Sequence, residues 1–197
     1  MPSYDECLVD AELKARADYA APGRHYHDER HLDDCLWRLD QIHRISETER
    51  RLLRWAILWH DSVYEPTRSD NEELSAERAF GELTGCGVAG ETAAEVARLI
   101  RLTKDHRVDP GDRLGAILVS IDLSILGADP ERYRSYAADV RREYAHVGDE
   151  AWRAGRAAVL KRLLEANPLY PEPSLGAELE EQARRNMAEE LRSLAAG

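Results

Sequence analysis

The stretch RRLLRWAILWHDSVY, residues 50–64, decides how this chain is to be read. Its apolar residues cover most sides of a helix, so the segment belongs inside a helical bundle. Ser46, with Glu49 three residues later, supplies a capping box at its start. At its far end stand His60 and Asp61, two ionisable groups delivered by a buried helix. Without partners such groups would cost several kcal/mol. A divalent cation is one such partner, because imidazole nitrogen and carboxylate oxygen suit Mn, Fe, Co, Ni or Zn. A neighbouring backbone amide, accepted by Asp61, is the ordinary alternative.

Helix-period patterns continue on both sides of this segment, with no alternating strand pattern and no Asn-Gly or Asp-Gly hairpin. Upstream, residues 6–20 read as an amphipathic helix ended by Pro22-Gly23. A second helix runs from about Glu29 to Arg44, with Leu32, Leu36, Leu39 and Ile42 at spacings of three and four. Beyond Pro66, Ser69-Asp70 caps a fourth helix that runs through Phe80 and Leu83 to the loop of Gly85, Gly87 and Gly90. The fifth spans Glu91 to about Lys104, and Pro110-Gly111 precedes a mainly apolar sixth, DRLGAILVSIDLSILG. Later helices are expected over about 130–146, 149–166 and 175–195, with NPLYPEP as the last break. The fold expected is all-α: one domain over 1–197, with its core over about 20–146 and C-terminal helices over about 147–197.

Composition narrows the function. Of the 197 residues, 43% are hydrophobic and 33% charged, a globular balance and not a disordered one. No apolar run approaches the ~20 residues a membrane helix needs, and MPSYDECLVDAELKAR lacks a secretory pattern, so a cytoplasmic protein is expected. Cys7, Cys35 and Cys86 are too few and scattered for a disulfide framework or zinc ribbon; Cys35 and Cys86 read as small core residues. The formal charge of −11 weighs against extended nucleic-acid binding. It permits a small phosphorylated substrate, because a bound metal and a few local arginines reverse the sign inside a pocket.

Asp122, in the apolar run AILVSIDLSILG, is a second acid needing a partner: an arginine, a helix cap, or a metal. His31 opens HLDDCLWRL on the side shared with Leu32, Cys35 and Leu39, facing the core. Together, a His, a His-Asp dyad 29 residues later and a lone Asp 61 residues beyond that form an ordered set. The set resembles the H…HD…D signature of the HD superfamily of metal-dependent phosphohydrolases. The chain is similar in particular to a bacterial subgroup of predicted metal-dependent HD phosphohydrolases, through GRHYHDERHL, HDSVYEPTRSDNEELSA, IDLSILG, RREY and GRAAVL. The resemblance implies an HD-type helical bundle and metal ligands at His31, His60, Asp61 and Asp122. An alternative alignment puts the first ligand at His27; His31 is preferred because it starts the apolar-periodic helix.

Other polar residues surround this set. Arg24 and His27 are candidates for binding phosphate, since guanidinium matches phosphate oxygens bidentately, or for hydrogen-bonding a metal ligand, and His25 reads as a surface-loop residue. Asp70 and Glu73 suit a helix start, whereas Glu72 is a candidate for moving protons to or from an attacking water. Tyr64 and Asn71 are expected at the same mouth. His106, the only histidine between the dyad and Asp122, faces substrate in this reading; relatives in the HD superfamily with two metals use extra histidines in this interval, so the resemblance implies no dinuclear centre here. Arg141 and Arg156 are the remaining candidate cations. His43 and His146 read as solvated, and Trp37, Trp55, Trp59 and Trp152 as core. The expectation is hydrolysis of a phosphate ester or anhydride of a small molecule, a nucleotide above all, using Mn, Co, Ni, Fe, Zn or Mg. No membrane or extended nucleic-acid partner is expected, and oligomeric state is left open, a homodimer included. An HD-type di-iron oxygenase and a non-catalytic metal or nucleotide sensor are the rivals.

Overall fold

The computed structural model describes residues 3–196. As the periodicity predicts, every regular element among them is helical. The chain divides into two compact units, one up to Leu118 and one from Val119. The boundary falls inside a helix, and earlier in the chain than the C-terminal extension read from the sequence.

The first unit contains α1 (Tyr4–Asp18), α2 (Glu29–Gln41), α3 (Glu47–Trp59), α4 (Asn71–Gly85), α5 (Gly90–Leu102) and the start of α6 (Arg113–Asp122). Helix α3 packs against α1, α2, α4 and α5, the central place that its apolar run demands. Leu53, Trp55, Ala56, Ile57, Leu58 and Trp59 are all buried; each large side chain among them contributes roughly 1.5–3 kcal/mol on transfer from water. The expected capping box forms, with Ser46 and Glu49 bonding each other's backbone amides. Helix α4 begins where expected but differently: Asp70 gives no side-chain cap and holds Arg68 through both carboxylate oxygens. An adjacent guanidinium wins the carboxylate over the orphan amides.

Two further expectations are corrected here. Cys86 is no core residue: it is half-buried and joined to Cys7 in a disulfide that ties α1 to the end of α4. Trp37 is not core either. It is 56% exposed, with the Arg38 guanidinium 5.0 Å from its ring centroid. Trp55 and Trp59 are buried as expected, and Cys35 is a buried thiol.

In the second unit, α6 gives way after Asp122 to a 3-10 turn, Leu123–Gly127, followed by α7 (Pro130–Glu143), α8 (Asp149–Glu165) and α9 (Pro173–Ala196). Asp122 is therefore not in mid-helix but at a change of helix type. Helix α9 packs on the 3-10 turn and on α8, and Gly127 permits the approach: a Cβ there would stand 2.6 Å from that of Leu179. Among the described residues no helix is long and apolar enough to cross a membrane.

Candidate metal centre

Three side chains of the first unit converge. Asp28 caps α2 by accepting the amides of Arg30 and His31, which fixes His31 in the first turn, 4% exposed. Helix α3 ends at Trp59 and presents His60, 2% exposed, with Asp61 directly after it. His31 Nε2 lies 3.0 Å from His60 Nε2; Asp61 Oδ2 lies 3.2 Å from His60 Nε2 and 3.7 Å from His31 Nε2.

This triangle has the right size for an ion. A point equidistant from the three donor atoms lies about 1.9 Å from each, close to the ~2.0–2.1 Å typical of nitrogen and oxygen ligands on a zinc-like ion. His60 Nδ1 is 2.7 Å from the Ile57 carbonyl. A carbonyl only accepts, so Nδ1 carries the proton and Nε2 offers its lone pair to the centre of the triangle. Burial alone would raise the Asp61 carboxyl. The imidazoles of His60, and behind it His27 and His31, outweigh burial and hold it below the usual carboxylate range. Close by, Ser62 Oγ and Arg24 Nε are buried without a hydrogen-bond partner, so the protein alone does not satisfy every polar group around the dyad. His31, His60 and Asp61 could hold a metal ion.

The neighbours sort themselves by geometry. His27, the rival first ligand, stacks on Tyr64 at 4.3 Å between ring centroids and meets His31 edge-on at 5.8 Å; it is His31 that shares the triangle. Arg24 bonds backbone carbonyls on both sides of the site. Its NH1 donates to the carbonyls of His27 and Asp61 and its NH2 to that of Ser62, clamping the approach loop onto the dyad's backbone. Asn71 closes the 65–71 loop by bonding both the amide and the carbonyl of Glu65. Glu72 is half-buried in the first turn of α4, and Glu73 pairs with Arg101. His106 is half-buried just beyond α5, in a left-handed conformation (φ 54°) with its amide on the Leu102 carbonyl.

The second unit holds the remaining candidates. Asp122 ends α6, half-buried. Arg141 bonds the carbonyls of Tyr144 and Val147 and the Asp149 carboxylate, closing the loop after α7. Arg156 is buried against Glu190 and Tyr136. His43 and His146 are exposed, as expected.

The sequence reading missed Tyr19. It is 1% exposed at the end of α1, and its hydroxyl touches the dyad. Nothing in the spacing announces a partner 41 residues away; a tyrosine closing an amphipathic helix before a Pro-Gly turn is the only local signal. Burial, reinforced by the Asp61 carboxylate, pushes its phenol well above the ordinary range, so it keeps its proton. No family model, no curated protein and no solved structure matches the chain.

Proposed function

We propose that this chain is a metal-dependent phosphohydrolase of the HD type, acting on a phosphate ester or anhydride of a small molecule, a nucleotide above all. The observation that supports the reading is the convergence of His31 Nε2, His60 Nε2 and Asp61 Oδ2 within 3.0–3.7 Å of one another in a buried site. When bound, a divalent ion supplies a lowered water pKa and polarisation of a phosphoryl oxygen.

The chain's own residues do the rest. His60 presents a bare Nε2 because the Ile57 carbonyl holds its Nδ1 proton. Asp61 brings the negative charge, and Arg24 fixes the backbone of the dyad from the loop side. With Arg24 and Arg141 engaged by carbonyls and acids, His27 is the residue proposed to face phosphate. Glu72 and His106 are the proposed proton carriers, and Asp122 is the fourth ligand on the strength of the sequence motif.

A screen of phosphorylated metabolites with Mn, Co, Ni and Mg tests the reading. Phosphate release by the wild type, abolished in Asp61→Ala and in Asp122→Ala, is the expected outcome. Metal binding without turnover of any phosphorylated compound would reject the enzyme and leave a sensor. Two imidazoles and one carboxylate are also the donors of non-haem iron(II) oxygenases; oxygen uptake by iron-loaded protein, in place of phosphate release, would favour that second reading.

A further inference from the structure

Adjacent residues on a regular helix diverge by about 100°, so a His-Asp pair in sequence does not by itself aim two donors at one ion. The end of α3 shows how this chain solves the problem. His60 N–H bonds the Ala56 carbonyl at 2.9 Å, the last bond of the regular ladder. The next would run from the Asp61 amide to the Ile57 carbonyl. Instead the Asp61 amide donates to the Tyr19 hydroxyl at 3.2 Å, and that hydroxyl donates to the Ile57 carbonyl at 3.3 Å. One residue on, the Ser62 amide reaches back only to Trp59. The phenol oxygen thus stands inside the ladder, in place of one helical hydrogen bond, a recognised way to bend a helix.

The same hydroxyl lies 3.3 Å from His60 Nδ1, whose proton sits on the Ile57 carbonyl at 2.7 Å. Tyr19 and His60 therefore share the Ile57 carbonyl as acceptor, which sets the tautomer, while the phenol oxygen stands against the imidazole edge and limits its orientation. Tyr19 is itself well anchored. Helix α1 is held through Glu12 to Arg54 and Trp55, through Asp18 to Arg78, and by the Cys7–Cys86 disulfide.

We propose that Tyr19 is a positioning residue of the metal centre: its hydroxyl, inserted between the Ile57 carbonyl and the Asp61 amide, opens the end of α3 so that His60 and Asp61 face a single ion. The proposal rests on the metal-binding reading above. It assigns to the first helix a function beyond packing.

Tyr19→Phe keeps the ring and removes only the hydroxyl. Cobalt(II) titration of wild type and variant, followed by visible absorption, reads affinity and ligand geometry together. The expected result is affinity weakened about tenfold to a hundredfold, as for other groups that orient metal ligands, with an altered cobalt spectrum. If the wild type takes up cobalt and Tyr19→Phe matches it in affinity and spectrum, the positioning role is overturned while the metal reading stands. If the wild type takes up no cobalt, the metal reading is overturned and the proposal falls with it. A measurement on metal-free wild type keeps the proposal falsifiable even if the variant does not fold. Nitrogen-15 NMR should show His60 as the Nδ1–H tautomer and the Asp61 amide protected from exchange; a rapidly exchanging Asp61 amide would overturn it.

Discussion

Each compact unit holds a largely buried cluster of ionisable side chains, and the two are balanced differently. In the second, the Arg156 guanidinium donates to both oxygens of Glu190, at 2.7 and 3.1 Å, and to the Tyr136 hydroxyl at 3.2 Å, while Tyr133 donates to the same carboxylate. Cation and anion arrive together in one helical framework. In the first, Asp61 faces two imidazoles whose Nε2 atoms lie 3.0 Å apart. Arg24 contacts this region through the backbone carbonyls of Asp61 and Ser62. A cluster that carries its own cation is complete as architecture, whereas His31, His60 and Asp61 could hold an ion.

The largest expected effect breaks the self-sufficient cluster. Arg156→Ala leaves the half-buried Glu190 carboxylate without its cation, with Tyr133 as its remaining donor, and should lower unfolding free energy by about 3–5 kcal/mol, measured by urea denaturation. The loss should be the same with and without chelator. A loss below about 1 kcal/mol would show that Glu190 finds water or another donor.

The first cluster should behave in the opposite way. A divalent ion at about a hundred times its dissociation constant should stabilise the wild type by roughly 2.7 kcal/mol, read as a rise in melting temperature that chelator reverses. Asp61→Ala should show no such rise. Melting curves unmoved by metal or chelator would make the His-Asp triangle a structural cluster like the other.

A pH series sharpens the contrast further. The folded Asp61 carboxyl lies below its unfolded value, so its contribution to stability is present above the unfolded pKa of about 3.9 and is lost as pH falls through the folded value. Wild type should therefore lose more stability than Asp61→Asn between about pH 4 and pH 2; parallel profiles would show that the imidazoles do not stabilise the carboxylate. The smallest effect is expected from replacing the second cluster's ion pair whole. Arg156→Met with Glu190→Leu should change stability by less than about 1 kcal/mol or increase it, and a large loss would mean that the pair specifies its surroundings and does more than fill them.

The sequence carries the first cluster better than the second. The dyad at the end of an apolar helix, the Ser46–Glu49 capping box and the core-facing His31 are short-range signals, each confined to a few residues of one helix. The partnership of Arg156 with Glu190 joins residues 34 positions apart, and no periodicity encodes it. Tyr19 escaped for the same reason, as did the Cys7–Cys86 bond across 79 residues. Arg24 meets carbonyl oxygens because a guanidinium suits them as well as phosphate, and its partners 37 and 38 positions away are set by the fold. At Asp70, competition from Arg68 two residues away overrode the capping preference. Trp37 shows that helical spacing does not guarantee burial at the margin of an apolar face.

The Cys7–Cys86 bond makes a covalent ring of everything between those residues, and His31, His60 and Asp61 all lie within it. A protease cutting once at the exposed His43-Arg44 corner would separate His31 from the dyad along the chain, yet release no fragment. The nicked protein would migrate as one species on a non-reducing gel and as two after reduction. Its donors would stay tethered, held by the bundle and by one bond remote from all three.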